Sequence, residues 1–565
     1  MKKRILLSLL FFSALPCTAE NYLLNGGQES EIDYKMVQRV EPSPGIKKLM
    51  LSYVEPQTYR SPSYNQKITK FDLNFSIKPA KETKSVDARG NRIVKVTWEN
   101  PKRSIDVTLH IVSLNSTHLE PVRTDAPFPL KDIPEDTRIY LKSTKMVPAN
   151  NSLIKQKAAS LVNGSETEFD AVQKVLSWVV DHMNYTLTPG DYSAIYAIKN
   201  QRGNCQNYSH LTATFLRAVG IPVRIVNGVT LKQPYNVKVK GGTLTMRMAQ
   251  GRHSWIEIYF PDLGWVPFDP QQMQLFVSNR FIRVEVGLDN DETINDGSIL
   301  WTRSAGSKGY PGFQELIDAR FLSDNVSLNA AKQSYGPRKM LFSPPVEAIF
   351  SRTLAQQAAA AVVESTAPAD LGSLNFSKPF EFGNLDFPEG FDFAQIEHPV
   401  TEAADGTMLM GKSFMVETAE YVTTNGHQFG QTFILDRPVR VAKIGLALQK
   451  FGGTGQLWVE LLKDDGTGKP GDNIATSKIL SLQNFDPTPG YRWIDFDFEG
   501  DPVILPEGRY WIALGFTGSP IVNWFFSYGK PTGPADGTRY KTIFDESWSN
   551  SLSYEFNYRI QGFSE

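Results

Sequence analysis

Cysteine is almost absent from this chain. Two occur in 565 residues, Cys17 and Cys205. No disulfide framework can be built from them. Charge bias is absent too. Lys and Arg number 59 against 60 Asp and Glu, a formal net charge of −1. No overall field therefore points to nucleic acid or to an anionic membrane surface. After the first twenty residues no apolar run is long enough to span a bilayer as a helix.

The remaining composition is that of an ordinary globular protein, with 41% apolar and 21% charged residues. The length calls for about three or four domains. Aromatics make up 12% of the chain, which leans toward β-structure. Lys2, Lys3 and Arg4 precede an apolar stretch from Ile5 to Leu15, and Cys17-Thr18-Ala19 ends in small residues. This is the pattern of a signal peptide, with cleavage expected after Ala19 and a secreted or periplasmic location. Acylation of Cys17 is the competing reading, and Pro16 beside it argues against a lipobox. After cleavage Cys205 is the one cysteine left, in a compartment where paired thiols oxidise. A lone buried cysteine is ordinarily inert, so its surroundings must decide.

Residues 20–150 alternate apolar and polar, as in Phe71–Ile77 and Ile105–Val112, and predict an N-terminal β-sandwich. From 151 to 275 the period changes. Leu153, Ile154, Ala158 and Leu161 suit one helical face, and Phe169 through Val179 a stronger one, with Ser165 and Glu168 as a capping box. A third helix runs from Gln206 to Val219, and strands follow at 223–229, 255–260 and 265–268. Helices first and antiparallel strands after them predict an α+β domain. Residues 276–345 read as an extension of that core, with a strand at 281–286. Residues 346–404 read as a linker with an Ala-rich helical stretch from Leu354 to Val363. Residues 405–565 return to alternation and predict a jelly-roll-like β-sandwich.

The reactive constellation lies in three pieces. Gly203-Asn204-Cys205 puts the cysteine at a loop-to-helix junction, where Asn204 suits the N-cap and Cys205 the first helical position. The helix dipole and free N–H groups there favour a thiolate and suit an oxyanion. A thiolate needs a proton partner near neutral pH, which is histidine chemistry. Of seven histidines, His253 opens a strand, and Asp269 ends the next one, where it can orient the ring. His210, five residues after Cys205, is a rival base but is turned away on the helix. Gln201 is a candidate side-chain oxyanion donor, or a plain loop residue.

Four segments in this order resemble the transglutaminase-like superfamily: Gly203-Asn204-Cys205, Phe215 to Arg224, His253-Ser254-Trp255-Ile256-Glu257, and Gly264 to Pro270. The resemblance covers about Leu153 to Gln272. It implies a papain-like core with Cys205 as nucleophile, His253 as base and acid, and Asp269 as orienter. It further implies acyl transfer from a peptide or side-chain amide, with hydrolysis slightly favoured. A glutamine-directed cross-linker and an inactive surface adhesion protein are the alternatives. The substrates implied are proteins or peptides, including cell-wall or surface peptides. No metal or organic cofactor is implied.

Other features read more plainly. Trp255 and Trp265 read as packing beside the site. Asp289 to Glu292 with Asn295-Asp296-Gly297 reads as a solvated turn, since the EF-hand spacing is missing. Trp524, Phe525, Phe526 and Tyr528 are candidates for stacking on glycans, although alternation must turn half of them inward. Finally, alternation constrains the turn between the two catalytic strands. A four-residue loop would put Asp269 on the face opposite His253. A three-residue loop, Pro261-Asp262-Leu263, pairs Phe260 with Gly264 and makes Asp269 the diagonal neighbour of His253.

Overall fold

The computed structural model describes residues 21–119, 124–239, 242–246, 248–271, 276–333, 371, 374–385, 387, 389–390, 400–411, 419–423, 427–486, 488–498, 503–527, 537–542, 545, 547–548, 551–552 and 555–565. The signal segment, the Leu354–Val363 stretch and Tyr528 lie outside the described residues. The chain is a mostly β, multidomain protein with few helices. Among the described residues no helix is long and apolar enough to cross a membrane.

The N-terminal strands are β1 (Asn21–Glu41), β2 (Ile46–Glu55), β3 (Tyr59–Arg60), β4 (Tyr64–Phe75), β5 (Lys81–Val86), β6 (Arg92–Glu99) and β7 (Ile105–His118). In β7 burial alternates residue by residue, as the apolar period of two requires. Ile32, Tyr34 and Met36 of β1, Leu49 and Leu51 of β2, and Val107 and Leu109 of β7 meet in one buried cluster.

The central segment supplies α1 (Glu135–Arg138), α2 (Ser152–Leu161), α3 (Glu168–His182), α4 (Ala194–Asn200) and α5 (Cys205–Ala218). Two-residue strands β8 (Asn184–Tyr185) and β9 (Arg202–Gly203) pair in parallel just before α5. Then come β10 (Val223–Thr230), β11 (Tyr235–Val239), β12 (Gly242–Met246), β13 (Gly251–Phe260), β14 (Gly264–Phe268) and β15 (Phe281–Gly287). The sheet order is β14-β13-β10-β15. The apolar stripe of α3, including Phe169, Val172, Val175, Leu176 and Val179, joins Leu211, Phe215 and Leu216 of α5 and Ile256 and Ile258 of β13 in a second cluster. The cap of α3 differs from expectation. Thr167, not Ser165, accepts from the Asp170 N–H at 3.2 Å, and Ser165 instead accepts from Lys174 Nζ at 3.0 Å. Serine is the better N-cap by type, so propensity alone did not choose between them.

Two later strands return to the N-terminal sheets. β16 (Ser298–Arg303) pairs with β2, and β17 (Gly312–Gln333) runs antiparallel to β1 from Asn21↔Gln333 to Glu41↔Gly312. The strand Met408–Met410 adds to β16. Further on, the long strand Val439–Asp464 pairs with Gly508–Ser527. Ala447, Tyr491 and Phe525 from this C-terminal region pack into the second cluster, while Trp524 and Phe526 fill the C-terminal core. All three aromatics of Trp524-Phe525-Phe526 are buried, because this strand is covered on both faces. None of them is free to stack on a sugar.

Candidate active site

Cys205 is the first residue of α5. The Asn204 side chain accepts from the Gln206 N–H at 3.1 Å, and the Asn207 side chain accepts from the Asn204 N–H at 3.2 Å. This reciprocal cap fixes the helix start and keeps the positive end of its dipole at the sulfur. Gly203 is needed beside it, since a Cβ there would lie 2.3 Å from Asn207 Cβ. The thiol is more enclosed than a helix-start residue suggests, with Cys205 only 3% exposed.

His253 stands on β13 and Asp269 just after β14. The register is Phe260↔Gly264, Tyr259↔Trp265, Ile258↔Val266, Glu257↔Pro267 and Ile256↔Phe268. This is the three-residue loop that alternation required. Gly264 adopts φ +73°, the left-handed turn conformation that glycine takes without strain. Continued by one step, the register sets Asp269 opposite Trp255, diagonal to His253. His253 Nε2 donates to Asp269 Oδ2 at 2.7 Å, and Asp269 Oδ1 accepts from the Gln271 N–H at 3.1 Å. Nε2 is thereby occupied, and Nδ1 is the nitrogen left to serve the Cys205 sulfur, whose influence on the ring is felt in its raised pKa. Burial alone disfavours the charged ring. The Asp269 carboxylate, by charge and hydrogen bond, and the Cys205 sulfur outweigh it and raise His253 to about 10. Opposite His253, Gly228 of β10 leaves room for the Trp255 ring, which a Cβ would meet at 2.3 Å. Trp255 and Phe281 wall the imidazole, with ring centroids 6.1 and 5.6 Å away.

The structure thus brings Cys205, His253 and Asp269 together. Gln201 is not buried with them. It is solvent-exposed and ends α4 in the left-handed conformation, φ 52°. His210 is held apart from proton transfer. Its Nδ1 donates to the Tyr192 carbonyl at 2.7 Å and its Nε2 accepts from the Asn290 N–H at 3.2 Å. Burial, the largest influence, lowers it to about 4, so the ring is neutral.

Sequence reasoning missed several groups. Arg252 faces away from the site into a buried ion pair with Asp296 and a 2.8 Å contact to Glu315 of β17. Gln38 of β1 also donates to Glu315, at 2.7 Å. The strand that carries His253 is in this way tied to the N-terminal sheet. The segment expected as a solvated turn is partly internal, since Asp289, Asn290 and Asp296 are buried. Glu257, in the motif after His253, is bracketed by Arg224 and Arg283, which outweigh its burial and hold its carboxyl below the usual range. Among the described residues no group of three or more His, Cys, Asp or Glu could hold a metal ion.

Residues 155–270 match the family model of the transglutaminase-like superfamily. This segment is a transglutaminase-like domain. Over 177 residues the chain is 28% identical to the uncharacterized protein YebA of Bacillus subtilis, covering 31% of this chain and 22% of that one. Over 147 residues it is 29% identical to the protein-glutamine gamma-glutamyltransferase of Pseudomonas aeruginosa, covering 25% of this chain and 20% of that one. The chain therefore spans about a fifth of the length of these relatives. A solved candidate cysteine protease from Cytophaga hutchinsonii aligns at 16% identity and a TM-score of 0.40, over 54% of this chain and 94% of that one. The transglutaminase-like domain holds all three residues of the Cys205–His253–Asp269 cluster.

Proposed function

We propose that this chain is a cysteine-dependent amide acyltransferase or hydrolase. The observation that carries the reading is the buried cluster in which His253 Nε2 lies 2.7 Å from Asp269 Oδ2 beside the cysteine that opens α5, a setting that raises the imidazole to about 10. An imidazolium beside the sulfur is the partner that a reactive thiolate needs. The Cys205 thiolate attacks an amide carbonyl. His253 gives its proton to the departing amine, and a thioester acyl-enzyme remains. His253 then takes a proton from water or from an amine, which attacks the thioester and regenerates the thiolate. Asp269 keeps the ring in register through Nε2. The Cys205 N–H is the backbone donor left for the developing oxyanion at the start of α5, because the Asn204 cap takes the Gln206 N–H.

Water as acceptor makes the enzyme a peptidase or deamidase, and we favour that outcome. A lysine amine as acceptor makes it a glutamine transamidase, the name that the Pseudomonas relative carries. The proposed substrates are proteins or peptides of the cell wall or surface, met in the periplasm or outside the cell, as the basic-then-apolar N-terminus supports. We read the flanking β regions as an N-terminal sandwich over 20–150 and a jelly-roll-like accessory sandwich over 405–565, and the burial of Trp524, Phe525 and Phe526 removes the aromatic basis for a glycan-binding role of the latter. The catalytic reading is tested with Cys205→Ala. Incubation of the full chain with a peptide library, with and without an added amine, should yield cleaved, deamidated or cross-linked products from the wild type alone. Equal turnover by Cys205→Ala overturns the assignment.

A further inference from the structure

His253 lies on a thinly laddered stretch of its strand. β14 pairs with β13 from Phe260 back to Ile256, and that ladder stops before it reaches His253. On the other edge β10 pairs through Gly228↔His253 and Val229↔Arg252, yet its own register with β15 slips between Asn227 and Gly228. Such a bulge bends a strand and disrupts the ladder beside it. Among the described residues, strand pairing at the start of β13 therefore comes from β10 alone, and side chains must supply the rest of the hold.

Arg252 supplies it. The residue is 3% exposed and, by alternation, points to the face opposite His253. Its guanidinium pairs with Asp296 and donates to Glu315 Oε2 at 2.8 Å. Both carboxylates are themselves anchored. Beside Asp296, Asn295 Nδ2 donates to Glu285 of β15 at 2.8 Å, and the Gly297 N–H donates to the Ser52 carbonyl of β2 at 2.8 Å. Glu315 also accepts from Gln38 Nε2 of β1 at 2.7 Å, and Gln38 in turn accepts from the Tyr53 hydroxyl of β2 at 2.7 Å. Gly297 takes φ +74°, and a side chain there would collide with Arg252 Nη2. The seat is shaped for a forked, planar cation, and β1, β2, β15 and β17 hold it in place.

We propose that Arg252 is a positioning residue for acyl transfer: pinned by Asp296 and Glu315, it fixes the start of β13 so that His253, the next residue, keeps Nδ1 on the Cys205 sulfur. This rests on the acyl-transfer reading above. Asp269 holds the His253 ring on one face of the strand, and Arg252 holds the backbone from the other. The sheet of β1 and β17 thereby belongs to the working enzyme and is more than a flanking module.

Alkylation of Cys205 by iodoacetamide, followed by mass spectrometry, reads this placement, because the thiolate is the form that reacts. Sulfur bonds to the CH2 carbon as iodide leaves. At pH 6 a thiolate persists only with an imidazolium beside it, whereas at pH 10 a thiol of ordinary pKa, about 8.5, ionises unaided. Arg252→Lys keeps the charge that Asp296 and Glu315 require but has no fork to span both. In the full chain we expect it to lower the pH 6 rate about 10–100-fold, the scale of a small misplacement, and to leave the pH 10 rate within twofold of wild type. Glu315→Ala cuts the β17 arm alone and should lower the pH 6 rate by a smaller factor. Glu315→Gln keeps an oxygen for both donors and should restore it. The rates are taken well below each variant's melting temperature, so a loss of stability alone moves none of them. A pH 6 rate within twofold of wild type in Arg252→Lys overturns the proposal, and Glu315→Ala decides in the same way if Arg252→Lys does not fold. An equal fall at both pH values also overturns it, because access to the sulfur would then have changed. A wild-type rate at pH 6 no higher than that of an ordinary thiol strikes the acyl-transfer reading, and the proposal falls with it.

Discussion

The two sides of the candidate site each bury one histidine, and they treat it in opposite ways. On the strand side His253 lies between the Cys205 sulfur and the Asp269 carboxylate and is raised to about 10. On the helix side His210 lies between a backbone carbonyl and a backbone N–H and is lowered to about 4. Both rings are fully enclosed, so burial does not distinguish them. The neighbours do. Anionic partners stabilise the imidazolium, whereas a donor–acceptor pair of peptide groups is satisfied only by one neutral tautomer. Depth in the core therefore says little about which histidine moves protons.

The comparison is broken most directly at the strand side. His253→Gln keeps a donor for Asp269 but removes the base, and should lower acyl transfer about 10²–10⁴-fold, read as kcat/KM at pH 7. In the wild type the same quantity should decline on the alkaline side near pH 10, where the imidazolium is lost. The sign follows for stability too. A folded-state value raised above the unfolded value of about 6.5 contributes stability fully below that pH and loses it as pH rises through about 10. On the helix side His210→Leu should leave that alkaline limb in place. It should cost about 2–3 kcal/mol in urea unfolding, because the Tyr192 carbonyl and the Asn290 N–H lose their partners. A shifted limb in that variant would mean that the two histidines are coupled.

A third buried group sharpens the contrast. Glu168 opens α3 with both carboxylate oxygens unpartnered, and burial first and Asp262 second raise it to about 9. Here the acid is protonated when folded. The unfolded chain releases that proton near pH 4.3, so stability is lost progressively as pH rises from there toward 9. Glu168→Gln should relieve that loss, raising stability by about 1–3 kcal/mol at pH 8 and much less near pH 4. A pH-independent effect of the substitution would contradict it. The smallest effect is expected at Gly264. A Cβ there has open space, so Gly264→Ala should cost only the left-handed backbone, about 1–2 kcal/mol, seen as a lowered melting temperature with the alkaline limb retained.

The strand side was legible from sequence, and of the helix side only the cap and the cysteine were. Side chains alternate along β13 and β14, so the placement of Asp269 reduces to counting residues in one turn, and Gly264 marks that turn. The Asn204 cap and the helix after it follow from equally local rules. The setting of His210 depends on a loop laid against a helix, and no period encodes that. Arg252, Asp296 and Glu315 are likewise far apart in sequence and meet only because β17 joins β1. The burial of Trp524-Phe525-Phe526 escaped for a related reason. Alternation predicts one solvated face, and a neighbouring region covers it.

The pairing of β1 with β17 also sets an order of events for a chain that emerges from one end. β7 is available to β1 early, but the partner for its other edge arrives only after the whole transglutaminase-like segment. Until then β1 is an open edge in a chain still being delivered, the kind of edge that recruits a second copy. Glu29, Glu31, Asp33, Lys35 and Arg39 occur at alternate positions along this part of it. These charges tolerate water during the wait and make a stray strand pay in desolvation, so the first strand of the fold can be the last to be closed.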